Sequence, residues 1–233
     1  MKLTNLLALA LTVGIAGPAC SDDNTTEPTP TPASANVRVV HASPDAPNVD
    51  VLVDGMIVLT NVPYEAASAY LAVPAGTRNL QVRATGTTTT VINADVPLTA
   101  GTYYTVMATG PVASIQPLVL TDDLTNPAAG NVKVQLVHAA PSAPTVDIYV
   151  TAPGADISMM SPTLTAVPFR GYSTYLEVPA GTYQVRITPT GTKTVALDTG
   201  DLALAAGQIR TGVALDAVGG GAPFGAIVLA DKN

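Results

Sequence analysis

The sequence predicts an all-β protein made of two tandem β-sandwich domains. Short segments rich in Val, Thr, Ile, Leu and Tyr alternate with clusters of Gly, Pro, Asn and Asp, and the whole pattern occurs twice along the 233 residues. Turn clusters at this short spacing are typical of sandwiches and barrels. After the N-terminal region, no segment shows the apolar periodicity of an amphipathic helix.

The N-terminal residues 1–19 are predicted to be a lipoprotein signal peptide. Lys2 is followed by an apolar run of 11 residues, Leu6–Ala16. This run is too short to span a bilayer, which takes about 20 residues, but it fits the apolar region of a secretory signal. Gly17, Pro18 and Ala19 then lead to Cys20, the only cysteine of the chain.

Cys20 is the predicted site of lipidation. Small residues directly before a Cys at the end of an apolar run resemble the bacterial lipobox, which implies cleavage before Cys20 and acylation of this residue. Gly17 stands where a lipobox usually has Leu, Val or Ile, so an ordinary cleavable signal is the alternative. Two or more acyl chains make anchoring stable. We therefore expect a membrane contact through the lipid on Cys20.

The segment after the signal is predicted to be a flexible tether. Residues 20–35 comprise the lipidated Cys and a Thr/Pro-rich stretch with no large apolar side chain, which cannot bury enough surface to fold. Ser21 directly after Cys20 resembles lipoproteins sent to an outer membrane. The expected location is therefore extracytoplasmic, on the outer membrane or the cell surface.

An internal repeat organises the rest of the chain. Val37–Asp50 matches Val134–Asp147, and the string VPAGT occurs at Val73 and again at Val178. Because Pro presets φ and Gly supplies a positive φ, each VPAGT is expected to form a tight turn between strands. The repeats predict a first sandwich over 36–123, a linker over 124–130 and a second sandwich over 131–233.

The second repeat is longer than the first. His41 and Tyr70 are 29 residues apart, whereas His138 and Tyr175 are 37 apart, and the eight extra residues fall in 152–162. With only 4% aromatic residues, the cores must be filled by Val, Leu, Ile and Ala packed between two sheets. We expect seven or eight strands per repeat, in an immunoglobulin-like or transthyretin-like sandwich.

These repeated strings carry a family resemblance. VHASPDAPNVDVLVDG, followed by VPAGT and later by IQPLVLTDD, closely resembles the bacterial domain of unknown function 4397. The resemblance covers nearly all of the chain after the tether and implies secreted or lipid-anchored envelope proteins, often with tandem copies. The second copy departs from the pattern through Ala140 and its insertion. The resemblance implies no activity and no functional residues.

Composition excludes several classes of function. The formal net charge is −7, so nucleic acid is not an expected partner. A single Cys excludes a disulfide framework and Cys-rich metal centres. We expect no cofactor, no metal site and no catalytic residues.

The recurring polar residues leave two interpretations open. His41 with Asp50, and His138 with Asp147, could orient an imidazole for base chemistry or form part of a metal site. One His and one Asp per repeat fall short of a zinc site, and Ala140 stands where a second nucleophilic Ser would be needed. The favoured interpretation is that each His fixes the Pro-rich loop through backbone carbonyls while each Asp binds loop amides.

Three further features are weighed in the same way. Arg83 and Arg186 recur on matched strands, where an exposed Arg is usually solvated but could bind a sugar or carboxylate. The acidic pair at Asp122 is assigned to turn and cap roles rather than to Ca²⁺. Met159 and Met160 are either tucked under the insertion or a contact point for a partner.

The sequence thus predicts a non-enzymatic, lipid-anchored envelope protein that displays two sandwich modules for interaction, adhesion or a structural role. Its expected partners are the membrane and an envelope polysaccharide or a surface protein. The alternative is a ligand- or polysaccharide-binding lipoprotein. A hydrolase using His41 or His138 is the more distant alternative.

Overall fold

The computed structural model describes residues 33–233, which contain sixteen strands. The signal peptide, Cys20 and most of the tether lie outside the described residues. The first eight strands are β1 Ser34–Ala42, β2 Val49–Val53, β3 Met56–Val62, β4 Leu71–Pro74, β5 Gly76–Ala84, β6 Thr90–Leu98, β7 Tyr103–Thr109 and β8 Gln116–Asp122. One 3₁₀ turn, Val112–Ser114, precedes β8.

The second eight strands repeat the same order. They are β9 Asn131–His138, β10 Val146–Thr151, β11 Leu164–Val167, β12 Leu176–Pro179, β13 Gly181–Pro189, β14 Leu197–Leu204, β15 Ile209–Leu215 and β16 Gly225–Lys232. The predicted all-β fold with two tandem sandwiches is confirmed.

Each repeat is a pair of four-stranded sheets. In the first repeat the order β4-β1-β7-β8 forms the inner sheet and β3-β2-β5-β6 forms the outer sheet; in the second, β12-β9-β15-β16 is inner and β11-β10-β13-β14 is outer. All strands pair antiparallel except β1 with β7 and β9 with β15. The first two strands of each repeat lie in different sheets, whereas in an immunoglobulin domain they share one. Of the two expected topologies, the strand order is therefore the transthyretin-like one.

Alternating side chains of the strands fill the sandwich cores. In β5, Leu80 and Val82 are buried between the sheets while Gln81 and Arg83 face the other way, as the period of two requires. Val, Leu, Ile and Ala make up almost all of these cores, with Tyr104 in the first repeat. The aliphatic filling expected from the composition is therefore found.

The inner sheets are buried on both faces, which the sequence analysis did not anticipate. In β1, Val37 and Val39 point into the first sandwich, whereas Val40 and Ala42 point to a third core shared with the second repeat. Apolar residues from both inner sheets form this shared core: Val40, Ala42, Met107, Leu120, Val137, Ala139, Val213, Leu215 and Leu229. The two repeats therefore pack as one four-layered unit rather than as independent modules.

β1 begins at Ser34, and Ala35 is fully buried in the first core. One local expectation needs correction. The VPAGT turns link an inner strand to an outer one in both repeats, but only Gly76 has the expected positive φ, at 105°, whereas Gly181 does not. Within residues 33–233 there is no helix long and apolar enough to cross a membrane.

Candidate functional site

The two histidines occupy equivalent positions at the ends of β1 and β9, and both are buried. His41 Nε2 lies 3.0 Å from the carbonyl oxygen of Pro47, and His138 Nε2 lies 3.1 Å from that of Pro144. On the opposite side of the ring, His41 Nδ1 accepts a hydrogen bond from the backbone N–H of Ser43 at 3.3 Å, and the second repeat has the same contact at 3.4 Å. Each ring thus joins its strand to the following Pro-rich loop.

These partners fix the protonation state of both rings. A carbonyl oxygen only accepts and an amide N–H only donates, so Nε2 carries the proton and Nδ1 is the acceptor. Burial lowers the pKa of His41 and His138 below 6.5, while the hydrogen bonds to the loop carbonyls oppose this effect. Both rings are therefore neutral at pH 7, with each nitrogen engaged by the backbone.

Asp50 and Asp147 bind backbone amides rather than the histidines. Asp50 Oδ1 accepts the N–H of Asn61 at 2.8 Å, and Asp147 Oδ1 accepts the N–H of Ala166 at 2.8 Å. The N–H of Asn61 is the main cause that lowers the pKa of Asp50. Asn61 and Ala166 have φ of 54° and 52°, so each carboxylate supports a residue in the left-handed region.

The His–Asp arrangement considered for catalysis is consequently not assembled in either repeat. The histidine lies in the inner sheet and the aspartate in the outer sheet of each sandwich. Ser43, the possible nucleophile beside His41, is buried, and its hydroxyl donates to the carbonyl of Gly110 at 2.6 Å. Among residues 33–233 no group of three His, Cys, Asp or Glu side chains comes together as a metal site.

The two recurring arginines lie in the outer sheets, in different surroundings. Arg83 donates to Gln81 Oε1 at 2.7 Å and is half-buried. Arg186 donates to Thr151 Oγ1 at 2.9 Å and is only 9% exposed, so the expectation of an exposed Arg is wrong for this residue. The hydrogen bonds from Ser158 are the main cause that lowers the pKa of Asp156 in the insertion, and the charge of Arg186 adds to this effect.

The insertion of the second repeat replaces a tight hairpin turn. In the first repeat Asp54 and Gly55 join β2 to β3, whereas residues 152–163 join β10 to β11. Ile157 is 5% exposed and fixes the loop to the domain, and Lys193 donates from Nζ to the carbonyl of Met160. Met159 is 94% exposed, so it is not tucked under the insertion, which was one of the two alternatives for this side chain.

A polar cluster that the sequence analysis did not predict lies between the two inner sheets. Arg38 of β1 donates to Asp231 Oδ1 of β16 at 2.7 Å and to Thr105 Oγ1 at 2.7 Å. Thr105 and Tyr70 both donate to Asp122 Oδ2, at 2.6 and 2.7 Å. One buried guanidinium therefore links charged groups of both repeats.

The second repeat contributes the equivalent hydroxyls but no equivalent cation. Thr211 and Tyr175 donate to Asp231 Oδ2 at 2.7 and 3.1 Å, which repeats the arrangement around Asp122. At the position equivalent to Arg38 the second repeat has Gln135, which donates to the carbonyl of Ser173 at 3.0 Å. Two buried carboxylates thus share one arginine.

Arg38 is not shared equally between the two carboxylates, and both the distances and the pKa of Asp122 reflect this. Arg38 Nη2 is 2.7 Å from Asp231 but 3.8 Å from Asp122. Burial raises the pKa of Asp122, and this effect exceeds the opposing hydrogen bonds from Thr105 and Tyr70 and the more distant charge of Arg38. Asp122 Oδ1 is buried without a hydrogen-bond partner among the described residues. Asp122 is thus a buried strand residue, and the turn role expected for it is wrong.

Further hydrogen bonds join the two repeats at the end of the sheets where His41 lies. Tyr64 of the first repeat donates its hydroxyl to the carbonyl of Asp216 at 2.7 Å, and Gly219 of the second repeat donates to the carbonyl of Pro44 at 2.8 Å. Arg170 donates from Nη2 to the carbonyl of Pro117 at 2.8 Å. These hydrogen bonds connect the sheets and loops of the two repeats.

Comparisons with known proteins add a family but no activity. No curated protein matches the chain. Among solved structures, CBMbc (family CBM26) of Amy13K from Eubacterium rectale, in complex with maltoheptaose, has a TM-score of 0.28 at 9% identity, over 85% of this chain and 98% of that chain. The Bacillus anthracis TIE protein has a TM-score of 0.26 at 9% identity, and the match spans 78% of this chain but only 34% of that one. Neither similarity identifies a ligand for this chain.

The family match covers both repeats. The sequence profile of one domain family matches residues 35–149 and 150–233. The break between these segments falls inside β10, whereas strand pairing separates the sandwiches between β8 and β9. Because the two matches together cover most of the chain, the protein belongs to the family described as Domain of unknown function (DUF4397) and carries two tandem copies of it.

Proposed function

We propose that this protein is a non-enzymatic display module of the cell envelope, held on the membrane by a lipid on Cys20, whose two repeats act as one rigid body in binding a surface partner. The observation that carries the proposal is the core shared by the two inner sheets, closed by the pair between Arg38 and Asp231. A shared core with a buried ion pair resists hinge motion, because opening it would expose apolar surface and separate two charges.

The hydrogen-bond partners of the histidines and aspartates support the same proposal. A general base needs an accessible nitrogen or carboxylate within reach of a substrate. His41 and His138 are neutral and bound to the backbone on both sides, and Asp50 and Asp147 bind loop amides. These groups serve the loops at the ends of the sandwiches, which favours a binding or structural role over hydrolysis.

Metabolic labelling with an alkyne fatty acid tests the anchor. We expect the wild-type chain to incorporate the label and to be recovered in the membrane fraction, because acyl chains hold it there. The Cys20→Ser variant should remain unlabelled and leave that fraction. Equal labelling of the two chains would show that the lipid is not on Cys20.

The non-enzymatic part of the proposal has its own test. Wild type and a His41→Gln/His138→Gln variant, which keeps a donor for each loop carbonyl, would be assayed against ester, peptide and glycoside substrates. We expect both proteins to show only the background rate. A hydrolytic activity that is present in the wild type and lost in the folded variant would contradict the proposal.

A further inference from the structure

The core of the second sandwich is incompletely filled. A cavity of about 140 Å³ lies between its inner and outer sheets, whereas the corresponding cavity of the first sandwich measures about 20 Å³. Aliphatic side chains from both sheets form most of the wall, among them Leu136, Ile148, Val185, Leu202 and Leu204. Close-packed protein interiors contain few voids larger than a water molecule, so a cavity of this size requires a cause.

The cause is a pair of differences between the repeats at equivalent positions of β7 and β15. In the first repeat Tyr104 and Val106 pack in the core of the sandwich. The second repeat has Arg210 and Gly212 at these positions, and both line the cavity. Arg210 thus replaces the aromatic ring of Tyr104 with a chain that has a polar end. Gly212 has no side chain where the first repeat has that of Val106.

Arg210 places a positive charge beside this apolar space. Its guanidinium lies at the end of the strands, where Nη1 donates to the carbonyl of Lys232 at 2.9 Å and Nη2 donates to Asn233 Oδ1 at 2.7 Å. The edge strands β14 and β16 line the accessible side, with Leu202 and Leu204 half-buried and Val228 46% exposed. The site therefore combines an apolar interior with a cation at its rim.

From this geometry we propose that the second repeat binds a short unbranched carboxylate, with its alkyl chain in the cavity and its carboxylate at Arg210. An engineered apolar cavity of about 150 Å³ accepts benzene, so the present one accommodates about six carbon atoms. Arg is suited to a carboxylate because its guanidinium offers several donors in one plane. The proposal adds a ligand site to the display role and does not depend on the anchor at Cys20.

Hexanoate is the probe, titrated into the purified full chain by calorimetry beside butanoate and 1-hexanol. Each buried methylene contributes about fourfold in affinity, so hexanoate should bind roughly 15-fold more tightly than butanoate. Hexanoate should also bind more tightly than 1-hexanol, which lacks the charge. Methyl resonances of Leu202 and Leu204 should shift on addition of hexanoate, while methyl groups in the first sandwich should not.

Two variants and one control decide the proposal. The Gly212→Val variant restores the side chain that the first repeat has at this position. The new Cβ would lie 3.2 Å from Leu136 Cδ2, which is a flexible chain end that can shift. We expect this variant to lose at least about tenfold in hexanoate affinity. Gly225→Val, where a Cβ meets nothing within 4 Å, should bind as the wild type does. Arg210→Gln should remove the preference for hexanoate over 1-hexanol.

The results separate cleanly. Failure of the wild-type chain to bind hexanoate, or unchanged binding by folded Gly212→Val, would overturn the cavity as the site. Equal affinity of the wild type for hexanoate and 1-hexanol would overturn the role of Arg210. If Gly212→Val does not fold, the methyl shifts at Leu202 and Leu204 decide the location, and their absence overturns the proposal.

Discussion

The buried histidines make the stability of the protein depend on pH just below neutrality. Burial holds the pKa of His41 and His138 below 6.5, so in a window below pH 6.5 the unfolded chain binds protons that the folded chain does not. The stability is therefore complete above this value and decreases as the pH falls, by up to about 1.4 kcal/mol per pH unit for each histidine.

Urea denaturation at pH 7.5, 6.5 and 5.5 measures this dependence. We expect the free energy of unfolding of the wild type to fall between the last two values. The His41→Gln/His138→Gln variant should be less stable at pH 7.5 and should show a shallower decrease, because it has no imidazoles to protonate. Parallel curves for the two proteins would assign the pH dependence to other groups.

At the residue level the sequence identified the recurring side chains and favoured backbone partners for them, which the structure shows, but it left the His–Asp alternative open. His41, His138, Asp50 and Asp147 stand out because they recur at matched positions. Whether a histidine binds an aspartate or a loop carbonyl depends on which sheet each strand joins. That choice is made by long-range pairing, which nearby sequence does not encode.

At the scale of elements, an aspartate in each outer sheet supports a residue in an unusual conformation. Ala166 of the edge strand β11 has φ of 52°, a region that costs an L-residue about 1–2 kcal/mol and costs glycine little. The N–H of Ala166 is held by Asp147 at 2.8 Å. Asn61 occupies the equivalent place, where an asparagine tolerates the left-handed region better.

We therefore expect Ala166→Gly to stabilise the protein by about 0.5–1 kcal/mol, because the relief of backbone strain exceeds the entropic cost of glycine. The matched control is Ala203→Gly in β14, an exposed strand position outside the positive-φ region, which should destabilise by about 0.5–1 kcal/mol. Thermal unfolding of the two variants beside the wild type checks the opposite signs. Destabilisation of the same size by both would show that Ala166 is not strained.

The strands themselves were predictable where turn chemistry and alternation agree, as at Leu80 and Val82 of β5. The double burial of the inner sheets was missed, although it has a signal in the sequence. β1 contains VRVVHA and β9 contains VKVQLVH, in which apolar residues occupy both faces. Such strands are typical of sheets covered on both sides. The parallel pairing of β1 with β7 has no local signal, since it joins residues far apart in the chain.

At the scale of the whole molecule, the two repeats share an interface in which Arg38 of the first repeat lies close to a buried carboxylate of each repeat. Arg38 pairs with Asp231 at 2.7 Å and lies 3.8 Å from Asp122, all three side chains being buried. A buried pair contributes little net stability over apolar residues, but removal of one partner leaves an uncompensated charge. Removal of Arg38 would therefore affect a buried carboxylate in each repeat.

Arg38→Met is expected to lower the free energy of unfolding by about 3–5 kcal/mol at pH 7, because Asp122 and Asp231 would remain buried without a counter-charge. Arg78→Met is the matched control. Arg78 pairs with Asp54 at 3.1 Å on the surface, and its loss should cost less than about 1 kcal/mol. Both values would come from urea denaturation followed by circular dichroism.

A pH series separates the missing charge from lost packing in the Arg38→Met variant. Burial already raises the pKa of Asp122. When Arg38 is absent, protonation of Asp122 would therefore stabilise the folded state as the pH falls. The deficit relative to the wild type should therefore shrink between pH 7 and pH 5. The triple variant Arg38→Met/Asp122→Asn/Asp231→Asn, which removes the charges together, should recover part of the loss at pH 7. A deficit that is constant with pH and unrelieved in the triple variant would mean that Arg38 acts through packing alone.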